Sequence, residues 1–127
     1  MIKNLIKTDI YVKVYENKFE AKNLSMNRLW EQATPEQPFS TERLLVGTFS
    51  TAEPALTELI KRLTPSGLLK RRPHIVIQPM GKTEGGISEV EARTFKELAY
   101  GAGGFKVIVH VGKELSDVEA VKLLRNL

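Results

Sequence analysis

Apolar and polar residues alternate along residues 9–24, which is the period of a β-strand with one buried face. The polar stretch 16–18 interrupts this alternation and divides it into two short segments. The pattern predicts a half-buried antiparallel hairpin. Its apolar positions are Ile10, Val12, Val14, Phe19 and Ala21.

Three segments begin with a serine followed three residues later by a glutamate. This spacing is typical of a helix N-terminus, where the two side chains bond free backbone N–H groups reciprocally. The pairs are Ser50 with Glu53, Ser88 with Glu91, and Ser116 with Glu119. Behind each pair, apolar residues recur at helical spacing and predict a helix with one inward face. These inward faces are Leu56, Leu59, Ile60 and Leu63; Ala92, Phe95, Leu98, Ala99 and Ala102; and Val121, Leu124 and Leu127.

Two apolar runs rich in β-branched residues lie between the helices, HIVIQPM at 74–80 and FKVIVHV at 105–111. Such runs are typical of parallel strands covered on both faces. A third strand is predicted at 43–49 (RLLVGTF), after an irregular connection over 25–42. The resulting order is β-β-β-α-β-α-β-α. We therefore expect one α/β domain over residues 1–127, with a mixed five-stranded sheet and helices on its faces.

Composition agrees with such a domain, since 42% of the 127 residues are hydrophobic. The chain has no cysteine, which excludes disulfide scaffolds, thiolate zinc sites and cysteine nucleophiles. The basic start of the sequence, residues 1–7, lacks the apolar core of a secretory signal. We expect a cytoplasmic protein.

Positive charge is concentrated in one connection. The chain has a formal net charge of +4, and the stretch 61–72 carries five basic residues and no acidic one. Such a cluster attracts nucleic acid, anionic membrane or an acidic partner. A solvated connection is the favoured interpretation, because no aromatic residue is interleaved for base stacking. The candidate interaction surface comprises Lys61, Arg62, Lys70, Arg71, Arg72 and Lys82.

Catalytic and ligand-binding motifs are weak. Gly81-Lys82-Thr83 follows a predicted strand, but a P-loop needs a glycine at the position of Val76. The loop 80–88 lies at the carboxyl end of the predicted sheet, a common position for ligands, so an anion or nucleotide site there is an alternative. His74 and His110 lack metal-ligand spacing, and no serine lies in a G-x-S-x-G turn. We expect no metal, no cofactor and no enzymatic activity.

Residues 43–110 resemble the first subdomain of the bacterial actin MreB. The similar segments are RLLVGTFSTAEPALTELIKRL, RRPHIVIQPMG and SEVEARTFKELAYGAGGFKVIVH. The resemblance implies an actin-like, ribonuclease H-like half domain, in which Glu91 matches the glutamate that positions the hydrolytic water. The family's phosphate-binding Asp-x-Gly-Thr hairpin is not matched, because Asp9 is followed by Ile10 and Tyr11 and no glycine precedes Gly47. The resemblance therefore implies a truncated domain without the ATPase machinery.

Two segments are also similar to the YjaA family of small enterobacterial stress-response proteins. They are FSTERLLVGTFSTAEPALTELIKRLTP and GGISEVEARTFKELAYGA. This resemblance implies an association with stress tolerance and no known activity or ligand. The leading hypothesis is a non-enzymatic, stress-associated protein that binds a protein partner. The alternatives are an anion or nucleotide binder at 80–88 and a weak nucleic-acid or membrane binder through 61–72.

Overall fold

The computed structural model describes residues 8–26, 29–65 and 72–126. Within these ranges the strands are β1 Asp9–Tyr15, β2 Lys18–Asn23, β3 Glu31–Ala33, β4 His74–Pro79 and β5 Lys106–Val109. The helices are α1 Phe49–Leu63, α2 Glu89–Gly101 and α3 Asp117–Arg125. The predicted order of strands and helices is confirmed.

The strands form one mixed sheet in the order β3-β2-β1-β4-β5. β1 pairs antiparallel with β2 and parallel with β4, so the central strand joins an antiparallel half to a parallel half. β2 pairs antiparallel with β3, and β4 pairs parallel with β5. The predicted mixed five-stranded sheet is therefore confirmed.

Helices cover both faces of this sheet. α1 and α2 pack against each other on one face, over the side chains of Ile10, Val12 and Val14. α3 packs on the opposite face over β1 and β4, where Ala120 and Leu124 contact Tyr11. Because successive side chains of a strand point to opposite faces, the two layers divide the odd and even residues of β1 between them.

The third strand lies elsewhere than predicted. β3 falls within the stretch 25–42, where an irregular connection was expected, and residues 43–48 form a loop rather than a strand. The loop is closed by its own backbone, since the amides of Gly47 and Thr48 both donate to the carbonyl of Phe39 at 2.8 and 2.9 Å. Leu45 and Val46 are buried from this loop, so their apolar character reflects core packing and not a strand.

The expected cap of the first helix is also wrong. α1 begins at Phe49 with Thr48 at the N-cap, and no side chain caps it. Ser50 and Glu53 lie inside the helix, and Pro54 therefore falls in its second turn. The other two predicted caps are confirmed. In α2, Ser88 Oγ accepts from the Glu91 amide at 3.1 Å and Glu91 Oε1 accepts from the Ser88 amide at 2.9 Å.

Burial of three elements differs from expectation. β1 is buried on both faces rather than half-buried. Its Tyr11 and Lys13, on the face toward α3, are also buried. β5 was expected to be covered on both faces, yet only Val107 of its four residues is fully buried. α3 turns Ala120 and Leu124 inward, whereas Val121 is half-buried. Leu127 lies outside the described residues.

Substitutions in α2 separate packing from capping. Phe95 is buried, so Phe95→Ala is expected to lower the free energy of unfolding by about 3–5 kcal/mol. Ser88→Ala removes an N-cap and should cost about 0.5–2 kcal/mol. Glu91→Gln should be nearly neutral, because glutamine completes the same cap. Urea denaturation of the three variants tests this order; a Glu91→Gln protein less stable than Ser88→Ala would contradict it.

Candidate interaction surfaces

The predicted basic residues do not converge in the part of the chain that the structure describes. Arg62, on the last turn of α1, bonds the Gln32 carbonyl at 3.0 Å and lies 3.5 Å from the Glu31 carboxylate, at the β3 edge of the sheet. Arg72 donates to the Gly104 carbonyl at 2.6 Å, just before β5 at the opposite edge. Lys61 is exposed, and Lys70 and Arg71 lie outside the described residues. Arg62 thus attaches α1 to β3, and Arg72 attaches the segment before β4 to the segment before β5.

Three hydrogen-bond donors of the loop 80–88 bond other groups of the protein. Lys82 adopts a positive φ of 54° and its Nζ donates to the Glu42 carbonyl at 2.9 Å. The Gly86 amide donates to the Thr83 carbonyl at 2.8 Å, and the Ser88 amide donates to Glu91. These three donors are therefore already bonded within the protein.

The β1–β2 turn is committed in the same way. Asn17 has a positive φ of 55°, and its amide donates to Ser40 Oγ at 2.9 Å. Its side-chain Oδ1 accepts from the amides of Phe39 and Ser40 at 2.9 and 2.8 Å. Asn17 therefore fastens the turn to the loop that precedes α1.

The two histidines are separated. His74 starts β4, with Nδ1 3.9 Å from Oδ1 of Asp9, and His110 follows β5, with Nε2 2.7 Å from the Lys113 carbonyl. No cluster of three histidine or carboxylate side chains that could hold a metal occurs within residues 8–26, 29–65 and 72–126.

A buried polar network lies beneath the segment that leads into α3. The Tyr11 hydroxyl donates to Gln78 Oε1 and accepts from the Leu115 amide at 3.1 Å. The amide group of Gln78 donates in turn to the carbonyls of Gly112 and Lys113 at 2.9 and 3.3 Å. These bonds hold residues 112–115 on the sheet.

Lys13 extends this network and is only 5% exposed. Its Nζ lies 2.6 Å from a carboxylate oxygen of Glu114 and 4.2 Å from the centre of the Trp30 ring. The carboxylate and the aromatic face both stabilise a cation that has lost most of its water. The sequence pattern did not reveal this cluster, because Trp30 and Glu114 are distant from Lys13 along the chain.

The network has a consequence for alkaline stability. Burial raises the pKa of the Tyr11 hydroxyl above its ordinary value of 10.0. A tyrosine that keeps its proton in the folded state while losing it in the unfolded state favours unfolding as the pH rises above 10. Burial also raises the pKa of Tyr15, with Glu20 and Glu114 adding to the shift.

Tyr11→Phe is expected to lower the free energy of unfolding at pH 7 by about 1–3 kcal/mol, because it leaves buried partners unsatisfied. It should also make the loss of stability above pH 10 less steep, without abolishing it, because Tyr15 still contributes. Urea titrations between pH 7 and 11 measure both effects. Tyr100→Phe, at an exposed residue, is the control and should match the wild type; an unchanged alkaline slope in Tyr11→Phe would contradict the account.

The surface beside β5 was missed by the sequence reasoning. β5 is the last strand of the sheet, and an open groove of about 980 Å³ lies between it and α2. An exposed apolar side chain lies in its lining: Val90 is 75% exposed. The signal was present in the apolar run FKVIVHV, which was interpreted as a covered strand. The groove is lined by Glu89, Val90, Ala92, Arg93, Lys96 and Val107–Val109.

Comparison with known proteins assigns a family. The chain is 32% identical over 98 residues to a protein of Escherichia coli (strain K12) described as uncharacterized protein YjaA, and the match covers 73% of this chain and 75% of that protein. The chain belongs to the YjaA family. No protein-family model matches it.

The YjaA-like segments identified in the sequence have clear places in this fold. Residues 39–65 comprise the loop closed by Phe39 and α1, and residues 85–102 comprise the α2 cap and helix. The two helices pack against each other on one face of the sheet. The part of this YjaA-family chain that the structure describes contains no helix that is long and apolar enough to span a membrane.

Proposed function

We propose that this YjaA-family protein acts without catalysis, by binding another protein, and that it does so in the cytoplasm as part of a stress response. One observation carries the non-catalytic part of this proposal. The actin resemblance would put phosphate chemistry at the first hairpin and at Glu91. In this protein the hairpin turn is fastened by Asn17, whose side chain accepts from the amides of Phe39 and Ser40, and Glu91 accepts from the Ser88 amide. The stress association rests on the resemblance to the YjaA family alone.

The proposal includes an actin-like, ribonuclease H-like core. Supporting it are the sheet order β3-β2-β1-β4-β5, the antiparallel β2 and the placement of α1 and α2 opposite α3. In an actin-type ATPase the first hairpin approaches phosphate through its backbone, which requires a turn with free amides. Here the turn amide of Asn17 and its side chain are bonded to residues 39–40.

Glu91 supports the same conclusion at the second position. A catalytic carboxylate needs a free oxygen directed at the reacting water. One oxygen of Glu91, Oε1, accepts from the Ser88 amide at the start of α2, which is a structural use of the carboxylate. We infer that any ancestral catalytic role of this residue has been replaced by helix capping.

The two alternatives draw less support. An anion at 80–88 would have to displace the bonds of Lys82 and Ser88 to the chain itself. A nucleic-acid or membrane contact through 61–72 would use Arg62 and Arg72, which lie at opposite edges of the sheet and bond backbone carbonyls there.

Nucleotide binding and hydrolysis test the proposal. Isothermal titration with ATP and magnesium should give no binding tighter than roughly 10 μM, a free energy of about 7 kcal/mol. A phosphate-release assay should give the background rate. Glu91→Gln is the matched control. Turnover by the wild type that Glu91→Gln abolishes, or tight binding of ATP, would contradict the proposal.

A further inference from the structure

The apolar side chains on and beside β5 are only partly covered by the protein core. Ile108 and Val109 are half-buried, and Phe105 and Val111 beside the strand are 51% and 38% exposed. By contrast, residues 75–79 of β4, which reads similarly in sequence, are all buried. Exposed apolar residues grouped along one strand are typical of an interaction site.

The backbone of β5 is also open on its outer side. Among the described residues, β4 is its strand neighbour, and the His110 amide just after β5 donates to the Ile77 carbonyl on that side at 3.0 Å. In a β-strand the N–H and C=O of one residue point to the same side, and successive residues alternate. The backbone groups of Val107 and Val109 are therefore directed away from β4, where a further strand would pair with them.

The groove beside this edge is basic. Arg93 and Lys96 line it from α2, and Glu89 is the acidic residue of the lining. Two cations against one carboxylate favour an occupant with negative charge. Because the same lining includes Val90 and Val107, the occupant must also carry apolar side chains.

We propose that the outer edge of β5 binds an extended segment of another protein in which apolar and acidic residues alternate. The segment adds a sixth strand through the backbone of Val107 and Val109, and its carboxylates meet Arg93 and Lys96. This inference deepens the proposed function and rests on it. A second copy of this chain fits less well, because pairing two β5 edges would bring the cations beside each groove together.

Binding of a defined peptide tests the proposal. The probe is a fluorescein-labelled heptapeptide of alternating glutamate and valine, and the comparison peptide carries lysine in place of glutamate. Fluorescence anisotropy with the full chain should give at least tenfold tighter binding of the glutamate peptide. Amide shifts in NMR spectra should centre on Val107 and Val109.

Charge reversal provides the matched variants. Arg93→Glu combined with Lys96→Glu should invert the preference, so that the lysine peptide binds more tightly than the glutamate peptide. Arg43→Glu combined with Lys122→Glu makes the same change in net charge at exposed residues outside the groove lining, and should keep the wild-type preference. Equal loss of binding in both double variants would reduce the effect to net charge and overturn the proposal.

Val109→Pro tests the backbone contact. It removes an amide directed away from β4, a change that edge strands tolerate, and should weaken binding of the glutamate peptide at least tenfold while the fold persists. If this variant does not fold, the charge-reversal pair still decides the question. Failure of the glutamate peptide to bind the wild type, or a dimer in sedimentation that Val109→Pro dissociates, would overturn this inference. Neither result bears on nucleotide turnover, which tests the proposed function separately.

Discussion

Burial of β1 on both faces is the constraint on which the rest of the structure depends. Its α3-facing residues, Asp9, Tyr11 and Lys13, all carry polar groups that must be satisfied away from water. Each finds a partner in the C-terminal segment: Arg125 forms a bidentate pair with Asp9, the Leu115 amide bonds Tyr11, and Glu114 pairs with Lys13. β1 and the C-terminal segment that includes α3 therefore stabilise each other, although they are far apart in the sequence.

This arrangement determines which surfaces remain open. Because α3 packs over β1 and β4, it does not cover the outer side of β5. α2 forms one wall of the groove there. At the other edge, Arg62 fastens α1 to β3. The sheet thus has one edge held by a helix side chain and one edge with an apolar, basic groove.

Much of the fold could be predicted from local patterns. The β1–β2 hairpin, β4 and the caps of α2 and α3 follow from alternation or from serine–glutamate spacing, which act within a few residues. Prediction failed where distant contacts decide the outcome. Residues 43–48 read as a strand, yet Leu45 and Val46 reach the core from a loop closed by the Phe39 carbonyl.

The candidate site illustrates the same limit. Clustering of basic residues in sequence suggested one surface, but the fold directs Arg62 and Arg72 to opposite edges of the sheet. No signal in the sequence indicated Arg93 and Lys96, because α2 and β5 come together only in the folded chain. The apolar run of β5 indicated a strand, but sequence does not distinguish a strand covered by helices from an edge strand that binds a partner.

Native-state hydrogen exchange of the isolated protein, measured amide by amide, tests the account most directly. The amides of β1, such as that of Val12, should exchange slowest, since β1 is buried and paired on both sides. Those of Val107 and Val109 should exchange about 100-fold faster or more, as expected for unpaired groups on an open edge. Protection of Val107 and Val109 equal to that of Val12 would contradict the account, because it would mean that the edge of β5 is already occupied.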